Sequence, residues 1–291
     1  DGYARATGKI GVLLTSSGPG AADSVGAIGE SFHSSIPILQ ITTEVEHEWV
    51  NSRRGVTHEA KDQLDMFGSV ADWKTNAATP LEVPSLIADA MHHLRTSHPR
   101  PALLSIPTNF LAEEHDFEII PSRPIVRPIV DSSNIESALQ LLETANRPLI
   151  VAGGGVMRAN ATEELLELAE ALNAPVAVAD GGKGAFPEDH PLALGTLLGG
   201  RVWGHNPIQD YAGTCDAALI VGTSLPWRST EGVGLKLPSD LIHIDIDPAM
   251  FDRNYGAKVK IQGDAKFILE DICSALSSSG HQPTTDRVNV E

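Results

Sequence analysis

The sequence predicts an α/β protein of two doubly wound parallel-sheet domains, the first truncated at its N-terminus. Three observations predict it. Short apolar runs alternate along the chain with stretches of helical period, several runs stop at glycine-rich turns, and one stretch dense in proline and charge separates an earlier alternating set from a later one. The 291 residues suit two domains, and 42% apolar content supplies a core for each. The domains fall at 1–120 and 135–277, with a connector at 121–134 and a second linker at 278–291.

The first strand reads at 10–15 and stops at Ser16-Ser17-Gly18-Pro19-Gly20, preceded only by a polar lead. Ala21, Val25, Ile28 and Phe32 then recur at helical spacing, and a second strand follows at 36–42. A turn between the carboxyl end of a parallel strand and the start of a helix is where open α/β sheets bind ligands, so 16–23 is the candidate site. Gly26 and Gly29 lie inside the helix, where each costs about 1 kcal/mol against alanine. Two explanations stand: close packing on the sheet of the same chain, or a helix pair across a subunit interface. The polar connection 44–67 has the composition of a pocket wall. Leu81, Leu86, Ile87, Ala90, Met91 and Leu94 mark one face of a helix over 82–96, and a strand follows at 102–106. Pro121, Pro124 and Pro128 block regular structure in 110–131.

The second alternating set opens with a strand at 148–152 and a turn at Gly153-Gly154-Gly155. A helix over 161–172 follows, with Leu165, Leu168, Ala169 and Leu172 on one face and Asn160 with Glu163 as a capping-box variant. A strand at 176–179 ends at Asp180, and 183–204 reads as a glycine-rich loop. A short helix at 207–213, strands at 217–221, 241–246 and 259–261, and a helix at 265–276 with Asp264 as its N-cap complete the set. The three glycines are half a dinucleotide fingerprint, because Arg158 stands at the third glycine's place. Asp245 and Asp247 meet a ribose or cap the next turn; the sequence leaves both open.

A net charge of −17 without a Lys/Arg run argues against nucleic acid and anionic membranes as partners. No run is long enough to span a bilayer. Cys215 and Cys273 fit no CxxC pattern, which favours a cytoplasmic location. His47, His58, His92, His93 and His98 form no HExxH or Cys/His spacing, so no metal ligand is expected.

Asp1-Gly-Tyr-Ala-Arg-Ala-Thr-Gly8, Thr15-Ser-Ser-Gly-Pro-Gly-Ala21, Ser35-Ile-Pro-Ile-Leu-Gln-Ile-Thr42, His58-Glu-Ala-Lys-Asp-Gln63, Arg100-Pro-Ala-Leu-Leu-Ser-Ile-Pro107, Lys183-Gly-Ala-Phe-Pro-Glu-Asp-His-Pro191 and Ile242-His-Ile-Asp-Ile-Asp-Pro248 occur in that order. Together they resemble thiamine-diphosphate-dependent enzymes of the acetolactate synthase and benzoylformate decarboxylase group, across nearly the whole chain. The resemblance implies the later part of a pyrimidine-binding domain and a central domain. It also implies thiamine diphosphate with Mg2+ in the full-length enzyme, a 2-oxo acid substrate, decarboxylation with transfer to a second carbonyl or a proton, and a homodimer or homotetramer. Ser17, Gly18, Pro19, Gly20 and Asp23 match the thiamine pyrimidine side, and Pro37 and Gln63 match the substrate channel. The activating glutamate is expected upstream of Asp1 and the diphosphate-binding domain downstream of Glu291, so no catalytic residue is expected here and the fragment alone should be inactive.

Several positions depart from the family. Asp23 replaces a usual Asn, and Thr43 a usual Gly. Acetolactate synthases hold FAD in the central domain, whereas many decarboxylases leave that place empty or bind other nucleotides. Gly153, Gly154, Gly155, Arg228 and Asp245 are the candidates for such a ligand. Gly222-Thr-Ser-Leu-Pro-Trp-Arg228 keeps only the ends of the synthases' Gly-x-Arg-Phe-Asp-Asp-Arg, and Gly199-Gly200-Arg201 stands where they carry Met-His-Gly, which counts against FAD. The alternatives are a benzoylformate-type decarboxylase, towards which His58-Glu-Ala-Lys-Asp-Gln63 leans, and a non-catalytic nucleotide-binding module.

Overall fold

The structure is a computed structural model that describes residues 1–126, 129–197, 206–230, 232 and 234–280. It divides into two compact units, Asp1–Val126 and Arg127–Glu291.

In the first unit, α1 (Gly2–Thr7), β1 (Gly11–Thr15), α2 (Pro19–His33), β2 (Ile38–Glu44), β3 (Trp73–Asn76), α3 (Val83–Thr96) and β4 (Ala102–Pro107) follow in order. The strands form one parallel sheet in the order β1-β2-β4-β3. Ala21 and Ile28 of α2 pack with Ile38, Phe67 and Leu103 on one face; Ala90 and Leu94 of α3 pack with Leu39 and Ala102 on the other. Burial on both faces explains why β4 reads as a continuous apolar run.

Three features depart from the sequence reading. The polar lead contains α1, a six-residue helix that buries only Ala4 and ends at Gly8 with φ +67°. β3 is a strand none of whose residues is fully buried. Leu81 is 61% exposed in the turn Pro80–Glu82, where the Thr79 and Glu82 side chains form a capping box, and takes no part in the apolar face of α3.

The second unit runs α4 (Ser132–Thr144), β5 (Pro148–Ala152), α5 (Gly154–Ala159), α6 (Thr162–Leu172), β6 (Val176–Val178), β7 (Ala193–Thr196), α7 (Pro207–Ala212), β8 (Ala217–Val221), β9 (Asp240–Asp245), β10 (Val259–Gln262) and α8 (Ala265–Ser279). Its parallel sheet has the order β10-β9-β8-β5-β6-β7, which reverses direction between β5 and β8. Such a reversal opens a crevice at the carboxyl ends of the two strands. Leu142, Leu165, Leu168, Leu172, Ile268 and Ile272 from α4, α6 and α8 fill one face. Leu149, Val151, Ala212, Leu225 and Leu235 fill the other.

Here too the local detail differs. α4 starts inside the stretch read as connector, capped by the Asp131 carboxylate, which accepts from Ser133 N–H at 2.9 Å. Gly154 opens a helix rather than completing a turn, and Asn160 closes that helix with φ +54°. The expected capping box is therefore absent: Ala161 is the N-cap of α6, without a side-chain bond. Part of the loop read over 183–204 is β7, while 198–205, including Gly199-Gly200-Arg201, lie outside the described residues. Asp264 caps α8 as expected, accepting from Lys266 N–H at 2.9 Å.

Leu219 is fully buried on β8, which lies between β5 and β9. Leu219→Ala should lower stability in urea denaturation by about 2–5 kcal/mol, the cost of an unfilled core cavity.

Candidate functional site

In the first unit the chain leaves β1 at Thr15 and turns through Gly18 into α2. Gly18 has φ +56°, and a Cβ there would lie 2.2 Å from the His58 carbonyl oxygen, so both conformation and space require glycine. Ser17 N–H donates to Thr43 Oγ1 at 2.8 Å, and Gly18 N–H donates to Gln63 Oε1 at 2.7 Å. The Gln63 Nε2 group donates in turn to the Thr43 carbonyl at 2.8 Å and to Ser105 Oγ at 3.1 Å. Gln63 is only 3% exposed, so a single buried amide joins the ends of β1, β2 and β4.

The Ser17 and Gly18 amides are thus occupied within the chain. The turn's outer side carries Ser16, Pro19 and Asp23, all exposed. A Cβ on Gly20 would stand 2.3 Å from Ser16 Oγ, so a side chain there would require the Ser16 hydroxyl to turn aside.

Gln40, Thr42 and Glu44 alternate along β2 and so share one face, at 1%, 0% and 4% exposure. Gln40 Nε2 donates to Thr15 Oγ1 at 3.1 Å and to Ser24 Oγ at 2.8 Å, and its Oε1 is buried without a hydrogen-bond partner. Thr42 Oγ1 donates to the Ser16 carbonyl at 3.2 Å. Glu44 Oε1 accepts from Val45 N–H at 2.9 Å. Burial raises the Glu44 pKa, nearby Asp62 and Glu59 add to the rise, and the Val45 bond opposes it. Sequence reasoning missed Glu44; the signal was the period-two polar series 40, 42, 44 inside an apolar run.

Open cavities of about 340 and 490 Å³ lie along the 51–66 connection, both lined by Arg53 and Lys61. Pro37 does not join this group. Its carbonyl accepts from Gly11 N–H at 3.1 Å, at the amino end of the sheet, a strand's length from the Ser17–Gly20 turn. Within this unit Pro37 and Gln63 are not brought together, because a strand carries its two ends to opposite edges of the sheet. Gly26 also resolves one alternative: nothing approaches a Cβ there within 4 Å, and at Gly29 only Val70 Cγ1 does, at 3.4 Å. Packing on the chain's own sheet does not account for Gly26.

In the second unit Gly153, Gly154 and Gly155 serve close backbone approach. A Cβ on Gly153 would lie 2.3 Å from the Gly222 carbonyl oxygen, and one on Gly155 would lie 2.5 Å from Gly222 Cα. One on Gly154 would meet the Gly181 carbonyl oxygen and Arg158 Nη1, each at 2.8 Å. Asp245 is 6% exposed, and its Oδ1 accepts from Asp247 N–H at 2.9 Å. Asp247 caps the following turn through Ala249 N–H. Burial pushes the Asp245 carboxyl up to about 6; Asp247 adds to the rise, while the Asp247 N–H bond and the Arg158 charge oppose it. The exposed Arg228 stands near Asp180, whose carboxyl burial also raises. Arg158, noticed in the sequence only as a missing glycine, is thus a charged group of this crevice. Two cations and two acids therefore line this end of the sheet, groups of the kind that could hold the phosphates and ribose of a nucleotide.

Two tests follow from this geometry. Gly18→Ala should cost at least about 1–2 kcal/mol in urea denaturation, from the left-handed backbone alone, whereas Gly26→Ala should be neutral or gain up to about 1 kcal/mol. For Asp245 the folded pKa lies above the unfolded one, so the folded state binds the extra proton between about pH 4 and 6 and stability falls as pH rises through that window. Asp245→Asn should remove a pH-dependent penalty of about 3 kcal/mol, seen as wild-type and variant stabilities diverging between pH 4 and 6.

The chain matches the family described as "Thiamine pyrophosphate enzyme, N-terminal TPP binding domain" over residues 1–66 and "Thiamine pyrophosphate enzyme, central domain" over residues 135–272. It is 35% identical over 285 residues to a Methanocaldococcus jannaschii protein named "Probable acetolactate synthase large subunit", covering 95% of this chain and 47% of that protein. It is 34% identical over 282 residues to a Pseudomonas aeruginosa protein named "Probable 2-ketoarginine decarboxylase", covering 95% of this chain and 48% of the relative. The acetolactate synthase of Arthrospira platensis is 34% identical over 289 residues, covering 94% and 48%. The chain spans about half the length of the curated relatives it matches. An X-ray structure of a Mycobacterium smegmatis protein assigned as thiamin diphosphate-dependent superposes with a TM-score of 0.78 at 22% identity, covering 100% of this chain and 54% of that one, and so shares the fold. With both domain descriptions met in order on two parallel α/β units, the chain belongs to the thiamine pyrophosphate enzyme family.

Proposed function

We propose that this chain forms part of a thiamine-diphosphate-dependent enzyme that decarboxylates 2-oxo acids and joins the remainder to a second carbonyl, in the manner of acetolactate synthases. The observation that carries this reading is the 35% identity, over 95% of the chain, to a protein named for that activity. A 2-oxo acid decarboxylase is the second reading, favoured by a similarity of nearly the same extent to the protein named for 2-ketoarginine.

Thiamine diphosphate, when bound, supplies the electron sink that decarboxylation of a 2-oxo acid requires. The roles that fall to this chain are positional. Ser17, Gly18, Pro19, Gly20 and Asp23 form the wall on the pyrimidine side, and Gln63 with Thr43 holds that wall rigid from beneath. Glu44 keeps a buried carboxyl, its pKa raised, on the same side of the sheet. Mg2+ belongs with the diphosphate; among the described residues no group of His, Cys, Asp and Glu is arranged to hold a metal ion. Gly153, Gly154, Gly155, Arg158, Arg228 and Asp245 form a nucleotide crevice, suited to FAD only through its phosphates and ribose.

A homodimer or homotetramer is supported by the open face of α2 at Ala22, Gly26 and Ala27. A cytoplasmic location follows from the cysteine usage; separately, no described helix is long and apolar enough to cross a membrane.

The test is made on the complete protein. Titration with thiamine diphosphate and Mg2+ should quench tryptophan fluorescence, and the loaded protein should release CO2 from 2-oxo acids. An acetohydroxy acid product marks the synthase, and an aldehyde marks the decarboxylase. Absence of both cofactor binding and CO2 release would remove the proposal.

A further inference from the structure

The segment 51–58 is a loop with few backbone bonds of its own, Ser52 N–H to the Trp49 carbonyl and Glu59 N–H to the Val56 carbonyl, both at 2.9 Å. Asn51, Arg53 and His58 have φ of +59°, +57° and +66°, and Gly55 has +76°, so three residues with side chains occupy the left-handed region. Both oxygens of one carboxylate, that of Glu59, fill the ring of donors this backbone creates. Glu59 Oε1 accepts from the Arg53 N–H and from Ser52 Oγ at 3.2 Å, and Oε2 accepts from Gly55 N–H at 2.7 Å and Val56 N–H at 3.1 Å. A curl of amides converging on one anion, as those of Arg53, Gly55 and Val56 do, resembles an anion-binding nest, here occupied by the chain's own side chain.

The loop is not remote from the candidate site. His58, directly before Glu59, sets its carbonyl so close to Gly18 that no Cβ would fit between them. Four residues after Glu59, Gln63 takes the Gly18 N–H. One short segment therefore meets Gly18 twice, and Glu59 is the anchor of its loop end.

We infer that Glu59 is a positioning residue, whose carboxylate folds the 52–58 loop as an internal anion and thereby holds the His58 carbonyl against the Gly18 turn. That this turn meets the cofactor rests on the function proposed above; the coupling of loop to turn does not. Nothing in the loop besides the carboxylate accepts from the Arg53, Gly55 and Val56 amides among the bonds described. Removing it exposes three donors and frees a segment in which Asn51, Arg53 and His58 are left-handed, and the contact on Gly18 should loosen with them.

Hydrogen exchange in the complete protein tests this directly. Glu59→Ala should speed exchange at Arg53, Gly55 and Val56 and also at Gly18, by about tenfold or more at each. Added acetate should enter the vacated nest and slow all four again, a rescue that general loss of packing would not show. Glu59→Gln, which turns an amide donor toward the same N–H groups, should show the acceleration without needing a cavity, and serves if the alanine variant does not fold. Unchanged Gly18 exchange alongside fast exchange at Arg53, Gly55 and Val56 would overturn the coupling, as would failure of acetate to restore protection in a folded Glu59→Ala protein. Thiamine diphosphate affinity is read in parallel, with about a tenfold weakening expected from loss of preorganisation. If Gly18 loosens while that affinity holds, the coupling stands and the placement of the cofactor at this turn falls.

Discussion

Where a parallel strand ends, its last amides and carbonyls lose their partners, and a buried unpaired group costs roughly as much as a lost hydrogen bond. In the first unit the Gln63 amide meets that demand for two backbone groups, the Gly18 N–H and the Thr43 carbonyl, and ties them to the Ser105 hydroxyl of β4. The position of the β1–α2 turn depends on it, and so does the direction in which α2 leaves the sheet. The two amides at the start of that turn, those of Ser17 and Gly18, are committed to side chains of β2 and of the 51–66 connection.

The second unit solves the same problem with backbone instead of side chain. Gly153 and Gly155 press against Gly222, and Gly153 N–H and Gly155 N–H donate to the carbonyls of Val221 and Gly222 at 2.8 and 2.9 Å. The closed backbone leaves recognition to what surrounds it, chiefly Arg158, Arg228, Asp180 and Asp245. Burial of Asp245 weakens its hold on a negative charge near neutral pH, and Arg158 offsets only part of that. In both units, then, a buried acid sits at the carboxyl edge of the sheet, Glu44 in one and Asp245 in the other. Each keeps a proton to higher pH than an exposed carboxylate because the charged form is poorly solvated there.

Much of this was legible in the sequence, and the reasons differ by residue. The buried strands were visible because burial on both faces demands unbroken apolar runs such as Leu149-Ile-Val-Ala152. The Ser16–Gly20 turn was visible because its glycines break such a run. α1 and β3 were not, since a helix burying one alanine and a strand without a buried residue leave no periodic trace. Gln63 was singled out by resemblance as a channel residue; the bracing bonds of its amide, and its separation from Pro37 along β2, are set by the fold. Glu44 escaped because it stands in no motif, and the charge of Arg158 escaped because that residue was read only as the fingerprint's missing glycine.

The sequence by itself determined the fold class, the order of the buried strands and the family, because hydrophobic period, glycine placement and an ordered set of motifs are local properties of the chain. Only the tertiary structure decided which residues share a site. Gln63 is 45 residues from Gly18, and the partners of Glu59, though near in sequence, meet it only because the backbone at Arg53, Gly55 and His58 turns left-handed. Such contacts are set by strand register and loop curvature, which pattern alone does not encode.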